Sequence, residues 1–245
     1  MGKADLHIHT TYSDGIGTVS AVMEAARRTD LDVLAITDHD QVRGALEAQQ
    51  MASRFGVQVI PGVEITTAEG HLLGLFVERD VPAGRPLIET ILRVGDMGGI
   101  CIAPHPMAQW VPSLGEASIL KALAHPGTRG ILVAIEVYNN GLPYLRNNQR
   151  AQALGALVPL AQVANSDSHL LWTIGLCATE FPGSTPAQLR QALAERQTRL
   201  LVGRRSPRYY ASFAKSFLLR EAGLAYWTSE PGKRAVLRRL ATVQA

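Results

Sequence analysis

The stretch DLHIHTTYSDG, residues 5–15, starts like a strand and ends like a turn. His7 and His9 stand two residues apart, so on an extended chain both imidazoles face the same side. Asp14 follows in an SDG turn. Either that face is wet, or side chains from elsewhere must satisfy the imidazoles.

Beyond this stretch, apolar runs alternate with amphipathic ones. DVLAITDH (32–39), VQVIPGVEIT (57–66), HLLGLFVE (71–78), GICIAPH (99–105), GILVAIEVYN (130–139) and VPLAQVANSDSH (158–169) read as strands, the last running into a loop. Helical spacing marks 18–30, with Thr18 as N-cap, 40–56, closed by Gly56, and 86–98, 114–125, 142–155 and 185–197. The short AEG turn at 68–70 lets HLLGLFVE return antiparallel and carry His71 back beside Glu64. Near-continuous apolar strands imply a sheet covered on both faces. Strands alternating with helices imply an α/β fold with a mostly parallel sheet, and there are enough strands to close a barrel. No GxGxxG or GxxxxGK[ST] follows the first strand, which argues against dinucleotide-binding and P-loop folds.

Composition narrows the class. The chain has 245 residues, 47% hydrophobic and 18% charged, enough for a sizeable core. No apolar run nears the ~20 residues of a membrane span. The first residues enter a strand pattern without a signal-peptide segment, so the expectation is a soluble cytoplasmic protein. Cys101 and Cys177 lie far apart and read as buried apolar residues in a reducing compartment. Net charge is +3, too small to argue for nucleic acid. Basic residues gather after residue 199, in RLLVGRRSPRYY and GKRAVLRRL, and read as the solvated face of C-terminal helices; the sharper reading is a phosphate-rich partner docking near that end. The expected division is a barrel over 1–203 and a basic, aromatic helical extension over 204–245 packed on its outside. Membrane-surface contact or a homo-oligomer interface is the alternative for that tail.

Six of the seven histidines fall beside strands: His7, His9, His39 in TDHD, His71, His105 in APHP and His169 in NSDSH. Asp14, Asp38, Asp40, Glu64 and Asp167 join them. In a β/α barrel, residues from strand C-terminal ends and the loops after them converge on one rim. One such histidine alone would read as a satisfied core residue. Burying the whole set without partners would cost several kcal/mol each, whereas a metal cluster gives each a partner. Imidazole mixed with carboxylate suits Zn, Mn or Fe, and the scarcity of cysteine argues against a structural zinc site. Nine ligands exceed one tetrahedral ion and point to two or three divalent metals sharing a carboxylate.

The ordered set DLHIHTTYSDG, TDHD, PGVE, GHLLGL, APHP and NSDSH resembles the PHP (polymerase and histidinol phosphatase) family. The resemblance implies a distorted (β/α)7 barrel carrying a trinuclear metal centre. It implies that His7, His9, Glu64 and Asp167 hold one metal, that Glu64 bridges to a second held with His71 and His105, and that Asp14, His39 and His169 hold the third. Asp14 stands where some members have histidine, which makes that site oxygen-rich and favours manganese or iron over zinc. The wording EVYNN…RNNQRA and GHLLGLF looks like the branch of AMP phosphatases, nucleoside 3′,5′-bisphosphate phosphatases and 5′→3′ oligoribonucleases. That branch often carries a helical insert between GHLLGL and APHP; here a short segment joins them.

The expected chemistry is metal-dependent hydrolysis of a phosphomonoester or phosphodiester, of a nucleotide or short oligonucleotide, by water deprotonated at the metals. Asp38 is the expected partner orienting His39. Arg43 and Arg146 are candidate phosphate clamps, although both lie in helical stretches where solvation is as good a reading. Histidinol phosphate and phosphotyrosine are alternative substrates. An amidohydrolase also begins with an HxH strand in a barrel, but TDHD, PGVE and APHP disfavour it. A non-catalytic PHP scaffold would have lost ligands, and none of the nine is missing.

Overall fold

The computed structural model describes residues 1–109, 111–141 and 145–203. The expected helical extension over 204–245 lies outside them. Among the described residues nine strands form one sheet in the order β7-β6-β5-β4-β3-β2-β1-β8-β9. They are β1 (Gly2–Asp5), β2 (Val33–Ile36), β3 (Gln58–Thr66), β4 (His71–Leu75), β5 (Ile100–Ala103), β6 (Leu132–Asn139), β7 (Ala161–Asn165), β8 (Cys177–Phe181) and β9 (Arg199–Val202). Among the same residues six α-helices lie between them: α1 (Val19–Arg27), α2 (Arg43–Met51), α3 (Leu87–Asp96), α4 (Glu116–Ala124), α5 (Leu145–Gly155) and α6 (Pro186–Glu195).

β1, β2 and β3 run parallel, as do β5, β6 and β7. β4 is antiparallel to both its neighbours, with Thr66 paired to His71 as the short turn requires. Gly70 makes that turn: its φ of 142° suits glycine, and a Cβ there would lie 2.4 Å from the Ser113 carbonyl carbon. The sheet nearly closes at the strand C-terminal ends. His9 N donates to Ser168 O (2.9 Å) and Ser168 N to His7 O (3.2 Å), joining the chain after β1 to the chain after β7. The result is a distorted β/α barrel.

Two strands went unread in the sequence. β8 pairs antiparallel with β1, and β9 with β8. RLLV at 199–202 is therefore an edge strand and not the start of a basic helix. Only four residues long and flanked by polar residues, it has too little periodicity to declare itself.

Apart from the edge strand β9, the strands are largely buried on both sides, as their composition implied. Val33 and Ala35 of β2 face the barrel interior with Leu6, Ile60, Leu73, Ile102 and Val163. Leu34 and Ile36 face outward against α1 and α2 with Val22, Met23, Ala45 and Ala48. A second outer layer packs Ile91, Val94, Ile119 and Ala151 of α3, α4 and α5 on the other half. Burying each such Leu or Ile stabilises by roughly 1.5–3 kcal/mol, which offsets the cost of the polar groups held above them. Thr18 caps α1 as expected, accepting from Ala21 N at 3.3 Å. Among the described residues no helix is long and apolar enough to cross a membrane.

Candidate metal centre

The rim at the C-terminal ends of the strands collects nine side chains. His7 and His9 lie just past β1, where the chain stays extended, and their ring centroids are 5.1 Å apart. Asp14 is in the following loop and His39 follows β2. Glu64 is within β3 and His71 opens β4 beside it. His105 follows β5, and Asp167 and His169 follow β7. The structure brings all nine candidate ligands into one cluster. Arg43 and Arg146 are not part of it.

Glu64 is the hub, and its two oxygens face different partners. Oε2 lies 3.1 Å from His7 Nε2, 3.2 Å from His9 Nε2 and 3.5 Å from His39 Nδ1. Oε1 lies 2.9 Å from His71 Nδ1 and 3.0 Å from His105 Nε2. Asp167 Oδ1 sits 3.3–3.4 Å from the Nε2 atoms of His9 and His7. On the outer side, Asp14 Oδ1 meets His169 Nε2 at 3.1 Å and His39 Nε2 at 3.8 Å.

Four groups have ligand atoms within 4.8 Å of one another: His7, His9 and Glu64; His39, Glu64 and His71; His7, His105 and Asp167; and His9, Asp14, His39 and His169. The outer group contains Asp14, His39 and His169, the set expected together, with His9 added. His39 also reaches the Glu64 side. His105 groups with His7 and Asp167.

The chemistry of this donor set fits divalent cations. His9 Nε2, His71 Nδ1 and Asp167 Oδ1 are buried and have no well-aligned hydrogen-bond partner among the described residues. They lie at contact distance from one another's neighbours but are misaligned for hydrogen bonding. Leaving such atoms unpaired costs about 1–3 kcal/mol each, and a shared cation would satisfy them together.

Imidazoles and carboxylates of the cluster favour one another's charged forms. Burial opposes charging of His9, but the carboxylates of Asp167 and Glu64 prevail and lift it to about 10. His7 and His105 are raised too, against burial, by the surrounding carboxylates. Burial works against the carboxylates of Glu64, Asp167 and Asp14, yet the adjacent imidazoles hold all three below their usual range. Cations bound here would displace these protons, because metal-ligating imidazoles must be neutral. His39 goes the other way: burial outweighs its carboxylates and lowers it.

Backbone geometry is also unusual here. His105 (φ 27°) and Asp167 (φ 48°) adopt positive φ without being glycine. Such residues cost of order 1–3 kcal/mol and persist where the surroundings impose them.

The expected pairing of Asp38 with His39 is corrected. Asp38 accepts from Thr10 N, Thr10 Oγ1 and Ser13 Oγ, each at 2.7 Å. Neighbouring side chains on an extended segment point to opposite sides, so Asp38 cannot follow His39 inward. It holds the loop that carries Asp14 instead. Gly44, in the first turn of α2, makes room: a Cβ there would stand 2.3 Å from Asp38 Oδ2. Asp40 accepts from Thr66 N and Oγ1 and braces the end of β3.

Arg43 is exposed, with its guanidinium on Gln41 Oε1 and 5.4 Å from the Tyr12 ring. Arg146 is exposed on the first turn of α5; among the described residues no hydrogen bond or ion pair ties it to the cluster.

Sequence reading missed a buried polar layer beneath the ligands. Glu136 of β6 is fully buried and lies 3.3 Å from His7 Nδ1. Asn139 and Asn165 donate to it, and both are fully buried, as is Asp5. Asp5 accepts from Ser166 N and Gly175 N, and burial pushes its carboxyl up to about 6. The available signal was a carboxylate and two amides within strands that are otherwise apolar.

A family model for the PHP domain matches residues 5–162. The chain belongs to the PHP family. A second model, PHP-associated, matches residues 146–198. Among PHP relatives, a phosphoribosyl 1,2-cyclic phosphate 1,2-diphosphodiesterase of Eggerthella lenta is 40% identical over 85 residues, 32% of either chain. A 5′-3′ exoribonuclease Rnm of Salmonella typhimurium is 34% identical over 132 residues, 51% of this chain and 45% of that one. A 3′,5′-nucleoside bisphosphate phosphatase of Chromobacterium violaceum is 37% identical over 87 residues, 34% of this chain and 30% of that one. The chain thus matches less than half the length of each of these named enzymes. A two-domain Bacteroides vulgatus protein containing a PHP-like phosphoesterase superposes with a TM-score of 0.63 at 19% identity, covering 87% of this chain and 69% of that one. That likeness shows the PHP fold.

Proposed function

We propose that this PHP-family metal-dependent phosphoesterase hydrolyses a phosphate ester of a nucleotide or short oligonucleotide, with the nine clustered side chains as its metal ligands. The observation that carries the reading is Glu64, whose two oxygens face separate sets of imidazoles, the arrangement expected of a carboxylate shared by two ions. Bound divalent ions supply Lewis acidity toward phosphoryl oxygens and make water acidic enough to lose a proton near neutral pH.

The chain's own residues do the rest. His7, His9, His71 and His105 present ring nitrogens inward from a rigid, buried wall. Asp14, His39 and His169 complete the outer side, where the cluster meets solvent and a substrate can enter. Three carboxylates repel a phosphate, so cations and a clamping arginine must supply the attraction. Arg43 is the better placed of the two candidates, because its partners Tyr12 and Gln41 belong to the loops that carry Asp14 and His39. The names of the relatives support a ribose phosphate as the substrate class.

Manganese-loaded protein tested against AMP, 3′,5′-bisphosphates, 5′-phosphorylated short RNA, a ribosyl cyclic phosphate, histidinol phosphate and phosphotyrosine decides the matter. Release from one or more nucleotide substrates is expected, with KM raised by Arg43→Ala or Arg146→Ala for whichever arginine clamps. Release from histidinol phosphate or phosphotyrosine alone would replace the substrate class, and no release from any would overturn the reading.

A further inference from the structure

Glu136 satisfies four donors with two oxygens. Oε1 accepts from Asn165 Nδ2 at 2.8 Å and faces His7 Nδ1 at 3.3 Å. Oε2 accepts from His105 N at 2.7 Å and Asn139 Nδ2 at 2.8 Å. A carboxylate offers about four acceptor positions, and all four are used.

The two amides cannot be turned round. Asn165 Oδ1 accepts from Leu6 N at 2.9 Å, which leaves its Nδ2 for Glu136. Asn139 Oδ1 accepts from Gly141 N at 2.8 Å, so its Nδ2 faces Glu136 and also Asp167 Oδ2 at 3.0 Å. Backbone N–H groups are obligatory donors, so these orientations follow from the fold. Asn148 of α5 closes the set, accepting from Asn139 N (3.1 Å) and donating to Asn139 O (3.0 Å). Glu136, Asn139 and Asn148 are buried polar residues of EVYNN…RNNQ.

Resting on the metal-centre reading above, we propose that Glu136 is the positioning residue of that centre. It accepts the Nδ1 proton of His7, so Nε2, aimed at Glu64 and Asp167, is the nitrogen that gives up its proton to an incoming cation. Through His105 N it sets the strained turn that swings the His105 ring inward. Through Asn139 it fixes Asp167. One carboxylate thereby indexes ligands carried by β1, β5 and β7. A carboxylate behind a ligating imidazole fixes the tautomer and strengthens the ligand.

Two measurements test this. In zinc-loaded wild-type protein, long-range ¹⁵N–¹H correlation spectra should show His7 with its proton on Nδ1. A proton on Nε2, or metal bound through Nδ1, would overturn the proposal without requiring any variant to fold. In Glu136→Gln, an isosteric change, the metal-free protein should keep its fold while zinc affinity at the His7 site falls roughly 10- to 100-fold. Glu136→Asp should recover less than a tenth of that loss, because its shorter arm cannot reach all four donors. Unchanged zinc affinity in a folded Glu136→Gln protein would overturn the proposal as well. If wild-type protein bound no divalent metal, the metal-centre reading itself would fall, and this inference with it.

Discussion

The Glu64 half of the cluster and the Asp14 half are built differently. His7, His9, Glu64 and His105 have side chains at most 4% exposed, and their neighbours in the wall are strands. Asp14, His39 and His169 have side chains 20–31% exposed and sit on loops. The inner half is backed by Glu136 and its amides. The outer half hangs on Asp38, through Thr10 and Ser13. Rigid, dehydrated ligands suit ions that stay, whereas loop-borne ligands at the solvent edge suit an ion that exchanges or meets substrate.

The strongest test of that contrast is Glu64→Gln. It removes the shared charge from both sets of imidazoles while keeping shape. Hydrolysis of the best substrate should fall by at least ~10²-fold, the scale seen when one preorganised electrostatic element is removed. Elemental analysis should show the inner ions lost. A variant that kept its full metal content would break the hub role.

Next in size are His7→Ala and Asp14→Ala. The first should deplete inner metal and abolish activity. The second should deplete only the outer ion, leaving the inner content measurable by the same analysis. Because His9 borders both groups, His9→Ala should lower both. Equal losses in His7→Ala and Asp14→Ala would mean one undivided centre.

The smallest effect is on the pH dependence of the metal-free protein, where the halves should respond with opposite signs. His9 is raised from 6.5 to about 10, so its stabilising contribution is complete below 6.5 and is lost as pH rises toward 10. His39 is lowered from 6.5, so it contributes a cost that appears as pH falls through that range. Thermal melts of chelator-treated protein should show a decline from neutral to alkaline pH that His9→Gln makes shallower, His7 and His105 carrying the remainder. They should also show an acid-side weakness that His39→Gln relieves. Metal loading should flatten the alkaline limb, since the ligating rings are then already neutral.

Eight of the nine rim positions were legible because they lie in or just after an apolar run, and chain order places such residues on one edge of a barrel. His71 was legible for a different reason: a three-residue turn leaves no geometry except an antiparallel return. β8 and β9 were not legible. They are short, and CATEF and RLLV gain strand character only by pairing with β1 and with each other. Asp38 was misassigned because adjacency in sequence suggested contact with His39, whereas an extended backbone turns neighbours apart.

The sequence by itself determined the chemistry. Six imidazoles and three carboxylates at strand ends have no cheap apolar burial, and cations are the partners that suit them all. Only the tertiary structure decided which atoms share an ion-sized space, that Glu64 faces two ways, and that Glu136 stands behind His7. Those facts depend on β6 lying between β5 and β7 and on the chain after β1 closing against the chain after β7. Residues 129 positions apart meet through that closure, and no local periodicity encodes it.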